Sequence, residues 1–322
     1  MSSLHLVDPD LLPGLELLPP FTLTREALPE IRAALEETVA AQPLLDQLPV
    51  ERREQVIAGG AGQPMRLLIY TPRELSAPAA ALLHIHGGGY VLGSAHIGDA
   101  GNRIAAAATG AVIVAVDYRL APETPFPGPL EDCYAALRWL HDEAGSLGVD
   151  PARVAIRGES AGGGLAAALA LLARDRRGPA ICHQTLIYPM IDDRTGSEGD
   201  PHPHTGEFVW TAEANRFGWT ALLGREPGGD TPAHAAPARA ADLSRLPPAY
   251  IATGALDLFV EENMDYARRL IRAGVPTELH IYPGAYHGFE VNVGAPVVEM
   301  SGRLALDALC RALKKRASPE IS

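Results

Sequence analysis

The sequence predicts an α/β fold: a doubly wound, mostly parallel sheet of eight strands with helices on both faces. Three observations predict it. From about residue 51, short apolar runs alternate with turn residues and, later in the chain, with helix-like stretches. The run AVIVAVD at 111–117 is apolar almost throughout, as a strand covered on both faces must be. The run RVAIRG at 153–158 leads into a serine between glycines and then into a small-residue helix, so strand, tight turn and helix follow one another directly.

Taken in order, residues 23–42 carry leucine, isoleucine and alanine at helical spacing, with Thr24 as the expected N-cap, so a helix precedes the sheet. Strands are expected at 53–58, 65–71, 81–86 and 111–117, and DCYAALRWLHDEA at 132–144 reads as the crossover helix after the fourth. The strand at 153–158 and the helix from 161 follow. Strands at 181–189, 249–255 and 277–284 complete the sheet, with helices at about 261–274 and 298–316. Residues 192–232 interrupt the alternation with a polar loop and a segment bearing Phe208, Trp210, Phe217 and Trp219. Because this insertion follows a strand's carboxyl end, it is expected above the site, forming with residues 1–50 a helical cap over a body of 51–191 and 233–322. Its aromatics either line an acyl pocket or fasten the insertion to the body.

Composition narrows the function. Of 322 residues, 47% are hydrophobic and 20% charged, a globular balance, and no uninterrupted apolar run approaches a membrane span. A formal charge of −12 opposes attraction to nucleic acid or anionic lipid. The amino terminus lacks a basic leader and a clean apolar core, so the expected residence is cytoplasmic. Three cysteines cannot all pair and are read as small apolar residues. His84, His86, Cys182 and His183 form no metal spacing, and the glycines at 158 and 162–164 lack the lysine of a phosphate loop, so neither metal nor cofactor is expected.

The chemistry lies in two strings. Gly-Glu-Ser-Ala-Gly at 158–162 fits a nucleophile elbow presenting Ser160. His-Gly-Gly-Gly at 86–89 fits the loop that lends backbone N–H groups to an oxyanion hole, with donors expected from Gly88, Gly89 and Ala161 and with His86 pinning the loop. A serine nucleophile needs a histidine base oriented by a carboxylate, in the order Ser, acid, His on such a sheet. His287 follows the last strand on a glycine-flanked loop, and Asp257 follows the strand before it. Glu261, Glu262, Asp192 and Asp193 are the competing acids, read as solvated or supporting groups.

With these residues in place, the chain resembles the bacterial hormone-sensitive-lipase family (family IV) of esterases, in the α/β-hydrolase superfamily. The resemblance runs through most of residues 80–290. It is carried by HIHGGGYVLGS (84–94), VDYRLAPETPFPGPLEDCYAALRWL (116–140), GESAGGGLA (158–166), YPMIDD (188–193), GALDLFVEEN (254–263) and YPGAYHGFE (282–290). It implies cofactor-free hydrolysis of carboxylic esters, with Ser160, Asp257 and His287 as triad, Gly88, Gly89 and Ala161 as oxyanion donors, and a cap from the N-terminus and the insertion. Glu159 stands where many relatives have aspartate. Leu258 and Phe259 follow Asp257 where many have Pro-Leu, a variant resembling the acetyl-hydrolase branch and pointing to short acyl chains. Homodimers are common among relatives, which makes the edge strand at 277–282 a candidate surface. Amide or lactone hydrolysis would use the same site, and a small-ligand receptor on this scaffold is the alternative of another class.

Overall fold

A computed structural model of the chain describes residues 2–18, 22–41, 45–197 and 202–314. The eight expected strands are present: β1 (Val50–Ala58), β2 (Pro64–Pro72), β3 (Ala79–Ile85), β4 (Val112–Val116), β5 (Val149–Glu159), β6 (His183–Ile187), β7 (Ala249–Gly254) and β8 (Thr277–Tyr282). They form one sheet in the order β1-β2-β4-β3-β5-β6-β7-β8, with β2 antiparallel to both of its neighbours and the strands from β4 to β8 parallel. β3, β4, β6 and β7 are buried at every residue; β4 is apolar throughout and β3 and β7 nearly so, whereas β6 opens with the buried polar residues His183, Gln184 and Thr185. The run at 181–189 shortens to β6, and that at 277–284 to β8, each ending before a proline (Pro189, Pro283) that has no N–H to give the ladder. β1 is largely exposed and carries Glu51, Arg52, Arg53 and Glu54, charges that discourage another strand from adding to that edge.

Helices α4 (Gly128–Asp142), α5 (Ala161–Asp175) and α7 (Val260–Arg272) pack on one face, and α3 (Asp99–Thr109) and α8 (Pro296–Leu313) on the other. α5 is buried over almost its whole length, because Gly162, Gly163, Gly164 and its alanines let the backbone lie close to the strands. Before the sheet come α1 (Leu12–Leu17) and α2 (Leu28–Ala40). α2 starts later than the expected 23–42. Thr24 Oγ1 accepts the N–H of Ala27 in a separate turn, and Pro29, with no N–H to offer, opens the helix proper. Residue 42 of that expectation, 315–316 of the last helix and 198–201 of the insertion lie outside the described residues. The insertion carries α6 (Ala212–Leu223), capped by the Thr211 side chain, which accepts the N–H of Ala214.

One carboxylate joins several loops. Asp132 in α4, wholly buried, accepts from the Gly60 N–H (2.8 Å), Gln63 Nε2 (2.9 Å), and the backbone N–H, Nε and Nη2 of Arg119. Burial opposes its ionisation, but these donors outweigh burial and hold its pKa below the ordinary carboxylate range. Asp132→Ala leaves the Arg119 guanidinium and the β1–β2 turn without their acceptor. It is expected to cost about 3–5 kcal/mol, read as a lower midpoint in urea unfolding.

Candidate active site

The turn between β5 and α5 is set by close approach. A Cβ on Gly158 would lie 2.1 Å from the Gly162 carbonyl oxygen, and one on Gly162 would lie 2.1 Å from that of Ile85 at the end of β3. Between them Ser160 takes φ 54° and ψ −121°, a conformation costing a residue with a side chain about 1–3 kcal/mol. The Ser160 N–H to Ile187 O bond (2.9 Å) and the Met190 N–H to Ser160 O bond (3.0 Å) hold it there. The hydroxyl makes no cap to its own helix and is left free for another partner.

That partner is His287. Ser160 Oγ lies 2.9 Å from His287 Nε2, and His287 Nδ1 lies 2.8 Å from Asp257 Oδ2. Asp257 is fully buried, and its other oxygen accepts the N–H of Phe259 at 2.9 Å. A carboxylate accepts only, so Nδ1 carries the proton and Nε2 presents a lone pair to the serine hydroxyl. Asp257 and His287 follow the carboxyl ends of the neighbouring strands β7 and β8, whose parallel register brings the two loops together. The imidazole is packed by the rings of Tyr188 (centroids 4.5 Å apart), Phe259 (5.3 Å, edge-on) and Trp210 (6.2 Å).

The His86–Gly89 loop lies across the same opening. Gly88 at φ +119° and Gly89 at φ +60° turn the chain. Among the described residues the N–H groups of Gly88, Gly89 and Ala161 meet no backbone carbonyl, as donors reserved for a ligand require. His86 Nδ1 donates to Gly87 O at 2.8 Å, and its ring stacks on Tyr118, whose hydroxyl donates to His86 O at 2.9 Å. Burial pushes the His86 pKa down to about 4, and among the described residues Nε2 has no partner to share a second proton. Arg32 in α2 donates to Val91 O and Ala121 O and pairs with Glu123, clamping α2 beside this loop.

A cavity of about 600 Å³ opens from Ser160 and His287, walled by Gly87, Gly88, Gly89, Tyr188 and Trp210. A larger hollow, about 830 Å³, lies at the amino ends of β6–β8 beside His183, Ala249 and Thr277, away from the serine. Of the four aromatics in the insertion, only Trp210 lines the cavity beside Ser160, its ring against Gly89. Phe208 packs toward Tyr286, Phe217 against the main core, and Trp219, fully buried, against Tyr90, so these three fasten the insertion.

The competing acids are held elsewhere. Asp193 is buried against Arg239 and Thr231, Asp192 pairs with Arg194, Glu261 is exposed, and Glu262 accepts from the Ile191 N–H and Thr195 Oγ1. Glu159 turns away from the hydroxyl to His84 Nε2 (2.8 Å) and Arg157 Nε (2.7 Å). Burial raises its pKa, but these two partners more than compensate and bring it down to about 2. Tyr118, Tyr188 and the His84–Glu159 pair escaped the sequence reading, because each acts through a partner distant in the chain.

A family model described as alpha/beta hydrolase fold matches residues 82–291. The carboxylesterase NlhH of Mycobacterium tuberculosis is 37% identical over 322 residues, spanning 95% of this chain and 96% of that one. The chain belongs to the hormone-sensitive-lipase-like family of α/β-hydrolases. The esterase LipI of the same organism is 36% identical over 286 residues, 88% of each chain. A solved bacterial heroin esterase superposes with a TM-score of 0.90 at 37% identity, covering 98% of this chain and 100% of that one. The loop at 86–89 can be probed through its brace. Tyr118→Phe removes the bond that anchors the His86 carbonyl. It is expected to cost about 1–2 kcal/mol in unfolding and to lower turnover about tenfold or more, checked by urea melts and initial rates.

Proposed function

We propose that the protein hydrolyses carboxylic esters of short to medium acyl chain by double displacement through a covalent acyl-enzyme. Membership in an esterase family supports ester hydrolysis, and the chain is a carboxylic ester hydrolase. The observation that carries the mechanism is the hydrogen-bonded series Ser160–His287–Asp257 at the mouth of a cavity walled by unengaged N–H groups.

In the first step His287 Nε2 takes the hydroxyl proton as Ser160 Oγ attacks the ester carbonyl, and the Asp257 carboxylate stabilises the imidazolium that forms. The N–H groups of Gly88, Gly89 and Ala161 receive the negative oxygen, Ala161 with the added field of the α5 amino terminus. The alcohol leaves with the proton from His287. Water then attacks the acyl-serine with His287 again as base, and the carboxylic acid departs. No cofactor or metal takes part in this reading.

The cap of this proposal is made of residues 1–50 and 192–232. Leu18 and Leu35 from the first piece and Val209 and Trp210 from the second line the cavity, and the pieces touch where Glu207 accepts the Ser3 N–H at 2.6 Å. A homodimer would add a second copy at the exposed edge of β8, and sedimentation velocity checks it. No helix among the described residues is long and apolar enough to cross a membrane.

Hydrolysis of p-nitrophenyl esters from acetate to palmitate is expected to peak at short chains. Ser160→Ala should lower kcat about 10⁴-fold or more and Asp257→Asn about 10⁴-fold, with folding retained. Turnover surviving in Ser160→Ala would overturn the nucleophile, and equal rates on a matched amide would move the reading to an amidase. The rate should fall on the acid side as the histidine base is protonated, and a profile with no acid limb would exclude that base.

A further inference from the structure

The cavity runs on from Ser160 past Glu159, beneath α3 and α8, and its wall carries ionisable groups that the proposed mechanism does not use. Most of them satisfy one another. Asn102 Nδ2 lies 3.0 Å from His84 Nδ1, so the amide donates there and the neutral imidazole donates from Nε2 to Glu159. Glu159 also pairs with Arg157, so that acid and that base cancel.

Glu290 has no such match. Its carboxylate accepts the Tyr188 hydroxyl at 2.9 Å, and among the described residues no arginine or lysine pairs with it. It follows His287 by three residues, and the Tyr188 that it engages lies against the His287 ring. The charged or titratable groups around it are Tyr188, His287, Tyr282 and Tyr286 and, farther along the wall, Glu159 with its partners; burial keeps the tyrosine hydroxyls protonated well above neutral pH. The aromatic residues Tyr188, Trp210, Tyr282 and Phe289 line the same cavity. A half-buried carboxylate with no cationic partner, in a cavity lined by aromatic residues, is an environment that favours an organic cation over its neutral equivalent.

We propose that this part of the cleft is a cation subsite, in which Glu290 is the counter-ion for an ammonium group carried by the substrate ester. The proposal rests on the esterase reading and narrows its substrate class. The subsite is adjustable: burial raises the Glu290 pKa to about 7, so the empty site is partly protonated near neutral pH and a bound cation draws it toward the carboxylate. Glu290 makes no bond to the reacting atoms, and its part is selection.

The test compares each cationic ester with its uncharged carbon isostere. One pair places the charge on the alcohol, 2-(trimethylammonio)ethyl acetate against 3,3-dimethylbutyl acetate. The other places it on the acyl group, the p-nitrophenyl esters of 4-(trimethylammonio)butanoate and 5,5-dimethylhexanoate. In at least one pair kcat/KM at pH 8 is expected to favour the cation about fivefold or more. Glu290→Gln, which can still accept from Tyr188, should bring that ratio to about one. In the unaltered enzyme the ratio should climb from pH 6 to pH 8 as Glu290 loses its proton, while the titration of the shared base divides out.

Ratios near one in both pairs, a preference that survives in Glu290→Gln, or a ratio flat with pH would each overturn the subsite. An equal loss on both members of a pair in Glu290→Gln would do the same, making Glu290 a support for Tyr188 and His287. The pH series needs no variant, so it decides even where Glu290→Gln folds poorly. Turnover of the neutral isosteres that is abolished by Ser160→Ala keeps the esterase reading standing whatever happens to the subsite; absence of that turnover removes the esterase reading first.

Discussion

The site depends on one close crossing of backbone, where Gly162 at the start of α5 presses against the carbonyls of Ile85 and His86 at the end of β3. No side chain fits there. The crossing fixes the distance between the two halves of the proposed site, the strained serine on one side and the glycine loop on the other. Its energetic cost is spread over the surroundings. β5 lies between β3 and β6, α5 is buried along its length, and Tyr118 and Arg32 fasten the loop from two further directions. A turn with φ 54° at a non-glycine residue persists because so many neighbours specify it at once.

The same geometry explains the division of labour between the strands. β5, β7 and β8 are parallel, so their carboxyl ends lie at one edge of the sheet and three loops distant in sequence deliver serine, acid and histidine to one place. Asp257 is buried with its oxygens engaged by His287 and the Phe259 N–H, and the imidazole is hemmed by three aromatic rings. Little solvent needs to reorganise when charge develops there.

Much of this was legible in the sequence, for physical reasons that can be named. The central strands β3, β4 and β7 could be read because strands buried on both faces admit few polar residues, and the more exposed edge strands β1 and β8 because turn residues and prolines bound them. That Ser160, Asp257 and His287 meet could be expected because the elbow marks the first and strand order the other two, and the three side chains are hydrogen-bonded in series; their catalytic part is the proposal. What escaped is what depends on distant partners. α3 was not singled out, since DAGNRIAAAATG carries too few large apolar residues for a clear stripe. The insertion's aromatics could not be assigned to pocket or core, because that choice depends on how α6 settles against Gly89, where Gly218 packs on the loop. The pairing of Glu159 with His84, 75 positions away, and that of Glu290 with Tyr188, 102 positions away, are properties of assembled space that no local pattern announces.

The stacked, unprotonated state of His86 reaches beyond the loop that it braces. Burial pushes its pKa down to about 4, whereas in an unfolded chain the same imidazole titrates in its ordinary range, so between the two the unfolded state binds a proton that the folded state refuses. Acidification through that window therefore draws stability out of the fold around the loop. The brace that shapes the site at neutral pH becomes its weak point in acid.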